Sequence, residues 1–169
     1  NAEKRGRFES RYNALLAELI DSAQAPALTI TAELQRVRSI LAAQLELFYE
    51  NSLYEKLDPK GRYDNTLFAY KTFFKALSLI SPLVLQVEDI QWLDDDSQQV
   101  FKTLCRNIDD YPILILASSR FNDDGSKPSI QTDKVLMQQE IILHQLAASA
   151  ANAFIESQLA GKAAAELLV

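Results

Sequence analysis

Cysteine, histidine and glycine are scarce in this 169-residue chain, and each scarcity removes a class of chemistry. A single cysteine, Cys105, cannot close an internal disulfide. Its place on the apolar side of a helical segment predicts a packed thiol, in keeping with a reducing, cytoplasmic setting. His144 is the only histidine and has no partner at ligand spacing, so a zinc site lacks its ligands, and the residue is expected as a satisfied core or edge group. The four glycines, Gly6, Gly61, Gly125 and Gly161, build no Gly-x-x-x-x-Gly-Lys-Ser/Thr loop. Gly161-Lys162 is the only Gly-Lys pair, but Ala163 follows where a hydroxyl is needed and Glu156 stands where the first glycine belongs. No Gly-x-Ser-x-Gly elbow marks a nucleophilic serine. Apolar runs fall well short of the roughly 18 residues that span a bilayer, and no basic-then-apolar leader is present. Clustered basic residues are missing too, apart from Lys4-Arg5-Gly6-Arg7. The net charge of −6 and pI near 4.8 argue against a nucleic-acid or anionic-membrane surface.

What is present is a hydrophobic fraction of 48%, enough for one domain with a core. Phe8, Tyr12, Leu15, Leu16, Leu19 and Ile20 recur at helical spacing and predict an amphipathic helix over Ala2 to Ala23, broken at Gln24-Ala25-Pro26. A longer helix is expected from Thr31, as N-cap, through Val37, Ile40, Leu45 and Phe48 to about Leu57, with Asp58-Pro59-Lys60-Gly61 ending it. A third runs over Asn65 to Leu79 with an aromatic core face, and Ser81-Pro82 hands the chain to a strand. Residues 1–80 thus read as mainly helical and 82–169 as an α/β part. The chain starts without methionine and stops at Val169 inside an Ala/Leu helical pattern, which predicts an excised piece of a larger protein.

The centre of the chain is Pro82-Leu83-Val84-Leu85-Gln86-Val87-Glu88-Asp89-Ile90-Gln91-Trp92-Leu93-Asp94. An apolar run that opens after proline and closes on two carboxylates describes a buried parallel strand delivering acids to the carboxyl edge of a sheet, where ligands bind. Pro112-Ile113-Leu114-Ile115-Leu116-Ala117-Ser118-Ser119-Arg120 has the same construction. Val100, Phe101, Leu104 and Ile108 form one helical face between them, so a βαβ unit is expected, with Glu88-Asp89 and Ser118-Ser119-Arg120 side by side at one rim. Asp94, Asp95 and Asp96 open that helix, where capping and the helix dipole account for negative charge. Trp92 is expected to wedge the turn against its neighbours. Downstream, residues 122–128 are turn chemistry, Glu140 to Leu146 reads as a third strand, Ser149 as the cap of a helix ended by Gly161, and Ala163 onward as one further helix.

The run from Pro82 to Asp94, the following helix and the second strand together resemble the Walker B and sensor 1 region of AAA-related signal-transduction ATPases with numerous domains. The match is carried by Glu88, Asp89, Trp92, Asp94 and Arg120 in order and spacing, over roughly Asn65 to Arg120. The resemblance implies a three-layer, P-loop-NTPase-like α/β fragment: a short parallel sheet of about three strands flanked by helices, forming part of a nucleotide-binding domain over 1–169. It also implies ATP and Mg²⁺ as cofactors of the complete protein. Glu88 would hold the metal shell and Asp89 polarise the attacking water, or the reverse, and both are candidate metal and catalytic groups. Arg120 would sense the γ-phosphate, with Ser119 or Ser118 hydrogen-bonding beside it. The expected partners are a nucleotide, held through a phosphate cradle supplied upstream of this segment, and other domains of the same polypeptide; self-association is open. A non-catalytic α/β module that binds a partner protein through the acidic rim and exposed helical faces, and turns over no nucleotide, is the competing expectation.

Overall fold

The computed structural model describes residues 2–22, 26–130, 132, 137–145 and 147–159, without the side chains of 158 and 159. They fall into two units, Asn1–Leu136 and Met137–Val169. The first is a mixed α/β body dominated by helices, with one two-stranded parallel sheet.

Three long helices make its core. Helix α1 spans Ala2–Asp21 and buries Tyr12 and Leu19; α2 spans Ala27–Ala43 and buries Ile30, Leu34, Val37 and Ile40. Spacings of three and four residues put those α2 side chains on one stripe, which meets both α1 and α4, Pro59–Ile80. Tyr12, Leu19, Ile30, Leu34, Ala76 and Leu79 form one apolar cluster; Val37, Ile40 and Ala69 form a second, closed by Leu53, Tyr54, Leu57 and Phe68. Full burial of each such leucine or isoleucine is worth roughly 1.5–3 kcal/mol. The Tyr12 hydroxyl donates to the Leu34 carbonyl, and burial pushes its pKa far above the usual phenol value.

Helix boundaries depart from the sequence expectation in three places. Thr31 is no N-cap: α2 begins at Ala27, and Thr31 is buried within it. That helix also stops at Ala43, not near Leu57, because Glu46 takes a left-handed backbone (φ 58°) that swings Leu47 into the interior, fully buried. A one-turn helix, α3 (Leu53–Lys56), follows, with Ser52 accepting from the Glu55 amide. Asp58-Pro59 starts α4 instead of ending its predecessor. Asp58 accepts from the Gly61 amide at 2.8 Å, and Pro59 sits in the first turn, where its missing N–H is harmless.

After Ser81-Pro82, β1 (Leu83–Val87) pairs in parallel with β2 (Ile113–Ala117), in register from Leu83 opposite Ile113 to Val87 opposite Ala117. Helix α5, Asp95–Leu104, is the crossover between them and packs against α4; Leu104, Cys105 and Ile108 are buried at its end. The expected helix–sheet–helix sandwich is only half present. Leu83, Leu85, Ile113 and Ile115 are half-buried, whereas Val84, Leu114 and Leu116 are 57%, 59% and 54% exposed. Among the described residues the sheet therefore has one covered face and two strands, not about three.

The third strand expected over Glu140 to Leu146 is the clearest correction. Residues 140–145 form no strand and are exposed, His144 included: the run pairs with no strand among the described residues, and without a ladder its apolar sequence does not make a strand. Leu146 lies outside the described residues. In this second unit, α6 spans Ala148–Leu159, with Ser149 inside it and not at a cap. Gly161 and the helix expected from Ala163 lie outside the described residues. No described helix is long and apolar enough to cross a membrane.

Candidate functional site at the carboxyl rim of the sheet

The rim begins where β1 ends. The ladder continues one step past the strands, with the Ser118 amide donating to the Val87 carbonyl at 2.9 Å and the Ile90 amide to the Ser118 carbonyl at 3.0 Å. Between these two bonds lie Glu88 and Asp89, both exposed. Glu88 stays on the open face of the sheet: its Oε1 accepts from Nε2 of Gln86, two positions back, at 2.8 Å. Asp89 turns away. Its backbone is left-handed (φ 53°, ψ 48°), a conformation an aspartate tolerates better than most residues. The turn it starts is a single 3₁₀ turn, Ile90–Trp92, closed by the Trp92 amide on the Asp89 carbonyl at 2.9 Å and pinned by the buried side chain of Ile90.

That turn folds Gln91 back across the gap to β2. Its Nε2 donates to Asp89 Oδ1 at 3.0 Å, while its Oε1 accepts from the Arg120 amide at 3.3 Å and faces the Ser119 hydroxyl at 3.1 Å. Asp89, Ser119 and the backbone of Arg120 are thus joined through one side chain, at the rim where the two strands were expected to meet. Gln91 is the residue that sequence reasoning missed. Its only signal was a polar side chain two positions after the acid pair.

Charge at the rim is open to solvent. Among the described residues no ion pair joins Arg120 to the acids of the 122–124 loop. Asp94 caps α5, accepting from the Ser97 amide at 2.8 Å, and hydrogen bonding to Ser97 holds its carboxyl below the ordinary aspartate range. Asp96 accepts from the Tyr63 hydroxyl at 3.0 Å, which ties α5 to α4 and raises the phenol pKa, chiefly through that bond. Trp92 does not wedge the turn: it is 74% exposed. An indole directed inward would have had to find a partner for its N–H, and outward it has water.

No group of three or more His, Cys, Asp or Glu able to hold a metal occurs among the described residues. Glu88 and Asp89 offer hard oxygen donors of the kind Mg²⁺ accepts, and that ion commonly takes only one or two carboxylates while water and substrate phosphate complete its shell. The donor set fits such an ion and does not fit a structural, fully protein-caged one. Remote from this rim, an open cavity of about 440 Å³ lies at the start of β1, lined by Arg11, Leu15, Leu77, Ile80 and Leu83 among others. Its walls are mainly apolar and hold no part of the acid pair. The cavity and the acid pair therefore sit at different ends of β1. Neither a family model, nor a curated protein, nor a solved structure matches the chain.

Proposed function

We propose that this chain is the acid-bearing half of an ATP-hydrolysing regulatory domain, of the P-loop-NTPase type that the motif from Pro82 to Asp94 resembles, and that the phosphate cradle is contributed from outside it. One observation carries the reading. The acid pair ends β1 beside the Ser119-Arg120 end of β2, and one of the two acids, Asp89, is linked to Ser119 and the Arg120 backbone by the Gln91 amide. Hydrolysis of a nucleoside triphosphate is chiefly positioning and charge stabilisation. When bound, Mg²⁺ would neutralise developing charge on the phosphates. Glu88, on the open sheet face, is assigned to the metal's water shell. Asp89 has one carboxylate oxygen engaged by Gln91 and is assigned to orienting the attacking water through the other. Arg120 supplies a cation for the terminal phosphate, and Ser119 a hydroxyl beside it. The setting proposed is cytoplasmic, within a multidomain signalling or transcription-regulating protein.

Calorimetry with Mg-ATP tests the division of labour. Without a ring of backbone N–H groups around the phosphates, this chain binds ATP weakly or not at all. Micromolar binding by the chain alone rejects the outside cradle. In the complete encoded polypeptide, Glu88→Gln with Asp89→Asn abolishes hydrolysis while nucleotide binding is largely kept. Unchanged turnover removes both acids from the mechanism. The second reading, a non-catalytic interaction module, is favoured by the bare apolar sheet face at Val84, Leu114 and Leu116. A polypeptide that neither binds nor turns over ATP leaves that reading standing.

A further inference from the structure

The geometry points to Gln91 as a positioning residue that couples the end of β2 to the Asp89 carboxylate, so that the arrangement of Ser119 and Arg120 sets where Asp89 aims. The inference rests on Asp89 being the group that orients water in the proposed reaction.

Gln91 has only one chemically sensible orientation. Reversing its amide would set a carbonyl oxygen against the Asp89 carboxylate and an NH₂ group against the Arg120 N–H, an acceptor facing an acceptor and a donor facing a donor. In the orientation present, Nε2 serves Asp89 at 3.0 Å and Oε1 serves the Arg120 amide at 3.3 Å. The Ser119 hydroxyl has a single proton and two acceptors, the Arg120 carbonyl at 2.7 Å and Gln91 Oε1 at 3.1 Å. Moving that proton between them strengthens or releases the hold on Gln91. The other end of the relay is equally adjustable: Asp89 is held by a left-handed turn and the Gln91 bond, and no ion pair with Asp89 occurs among the described residues. A displacement at the tip of β2 therefore reaches Asp89 through one rigid amide plane, and Ile90, buried and bonded to Ser118, keeps the intervening backbone from absorbing it.

A double-mutant cycle read by NMR on the ¹³C,¹⁵N-labelled chain tests this. Ser119→Ala is expected to shift the side-chain carboxyl carbon of Asp89 in the parent chain, and to leave it unmoved in a Gln91→Met background, where the side chain is of similar length but carries no amide. Equal shifts in both backgrounds, or none in either, overturn the coupling. Gln91→Glu provides a second measurement. It keeps an acceptor for the Arg120 amide, so that amide stays protected from hydrogen exchange, while the Asp89 carboxyl resonance moves because a second carboxylate now faces it. Exchange at Arg120 as fast in Gln91→Glu as in Gln91→Met overturns the assignment. Neither readout uses nucleotide, so a failed coupling is distinct from a failed ATPase reading, which the acid-pair double mutant decides.

Discussion

Asp89 is held in a backbone conformation that stability alone would give to glycine, and this makes a quantitative test. An alanine at its φ of 53° would keep the left-handed turn and its crowding between Cβ and carbonyl, which costs roughly 1–2 kcal/mol for a residue without a compensating side chain. Glycine escapes that penalty but loses more conformational freedom on folding, roughly 0.5–1 kcal/mol. Asp89→Gly should therefore be more stable than Asp89→Ala by about 0.7 kcal/mol at the middle of those ranges, a difference of roughly 1–3 °C in melting temperature for a chain of this size. Asp89→Asn tolerates the same conformation and still offers an oxygen to Gln91, so it should stay within about 0.5 kcal/mol of the parent. Thermal and urea unfolding of the four proteins measure the ranking directly. An alanine variant more stable than the glycine variant, the order expected of an ordinary backbone conformation, would show that the left-handed turn does not exist in solution, and with it would go the placement of Asp89 and Gln91. If the ranking holds and Asp89→Asn also abolishes turnover in the complete polypeptide, the carboxylate is kept for chemistry and not for folding.

Leu34→Ala removes a fully buried side chain from the cluster shared by α1, α2 and α4, and should lower stability by about 2–5 kcal/mol in urea unfolding; a loss under 1 kcal/mol would mean that the cluster is not packed as described. Asp58→Ala removes the cap of α4 and should cost about 1 kcal/mol, with Asp58→Asn nearly neutral; equal losses in the two variants would argue against a capping role. The Asp94 carboxyl lies below its ordinary pKa in the folded chain. Its contribution is therefore present at pH above the unfolded value and is lost as pH falls through the folded one, so Asp94→Asn should flatten the acid limb of stability below about pH 4. An unchanged acid limb would refute it. Cys105 is buried, with desolvation raising its thiol pKa, and should react with a thiol reagent only after unfolding; rapid reaction in the native chain would place it at the surface.

Much of the helical body was legible as periodicity. Tyr12 and Leu19 in α1, and Leu34, Val37 and Ile40 in α2, bury where a spacing of three and four puts them. Both strands were legible as apolar runs after Pro82 and Pro112, and the crossover helix as an apolar stripe behind an aspartate cap. The same rules misread places where a local pattern serves two outcomes. Leu45 and Phe48 continue the period of α2 but are exposed, because burying Leu47 requires a chain reversal that periodicity cannot register. Asp58-Pro59 interrupts a pattern whether it closes one helix or opens the next. Ile141, Ile142 and Leu143 have strand character, yet a strand exists only where another chain edge satisfies its backbone.

By itself the amino-acid order determined the helical stripes, the two apolar strands and the delivery of Glu88, Asp89 and Arg120 to strand ends, since each depends on neighbours within a few residues. Tertiary structure alone decided that Val84, Leu114 and Leu116 on one sheet face are left exposed, that Trp92 points to solvent and that Gln91 spans the gap between Asp89 and Arg120. Those outcomes depend on which groups meet across a sequence separation of about thirty residues, and no local propensity encodes that meeting.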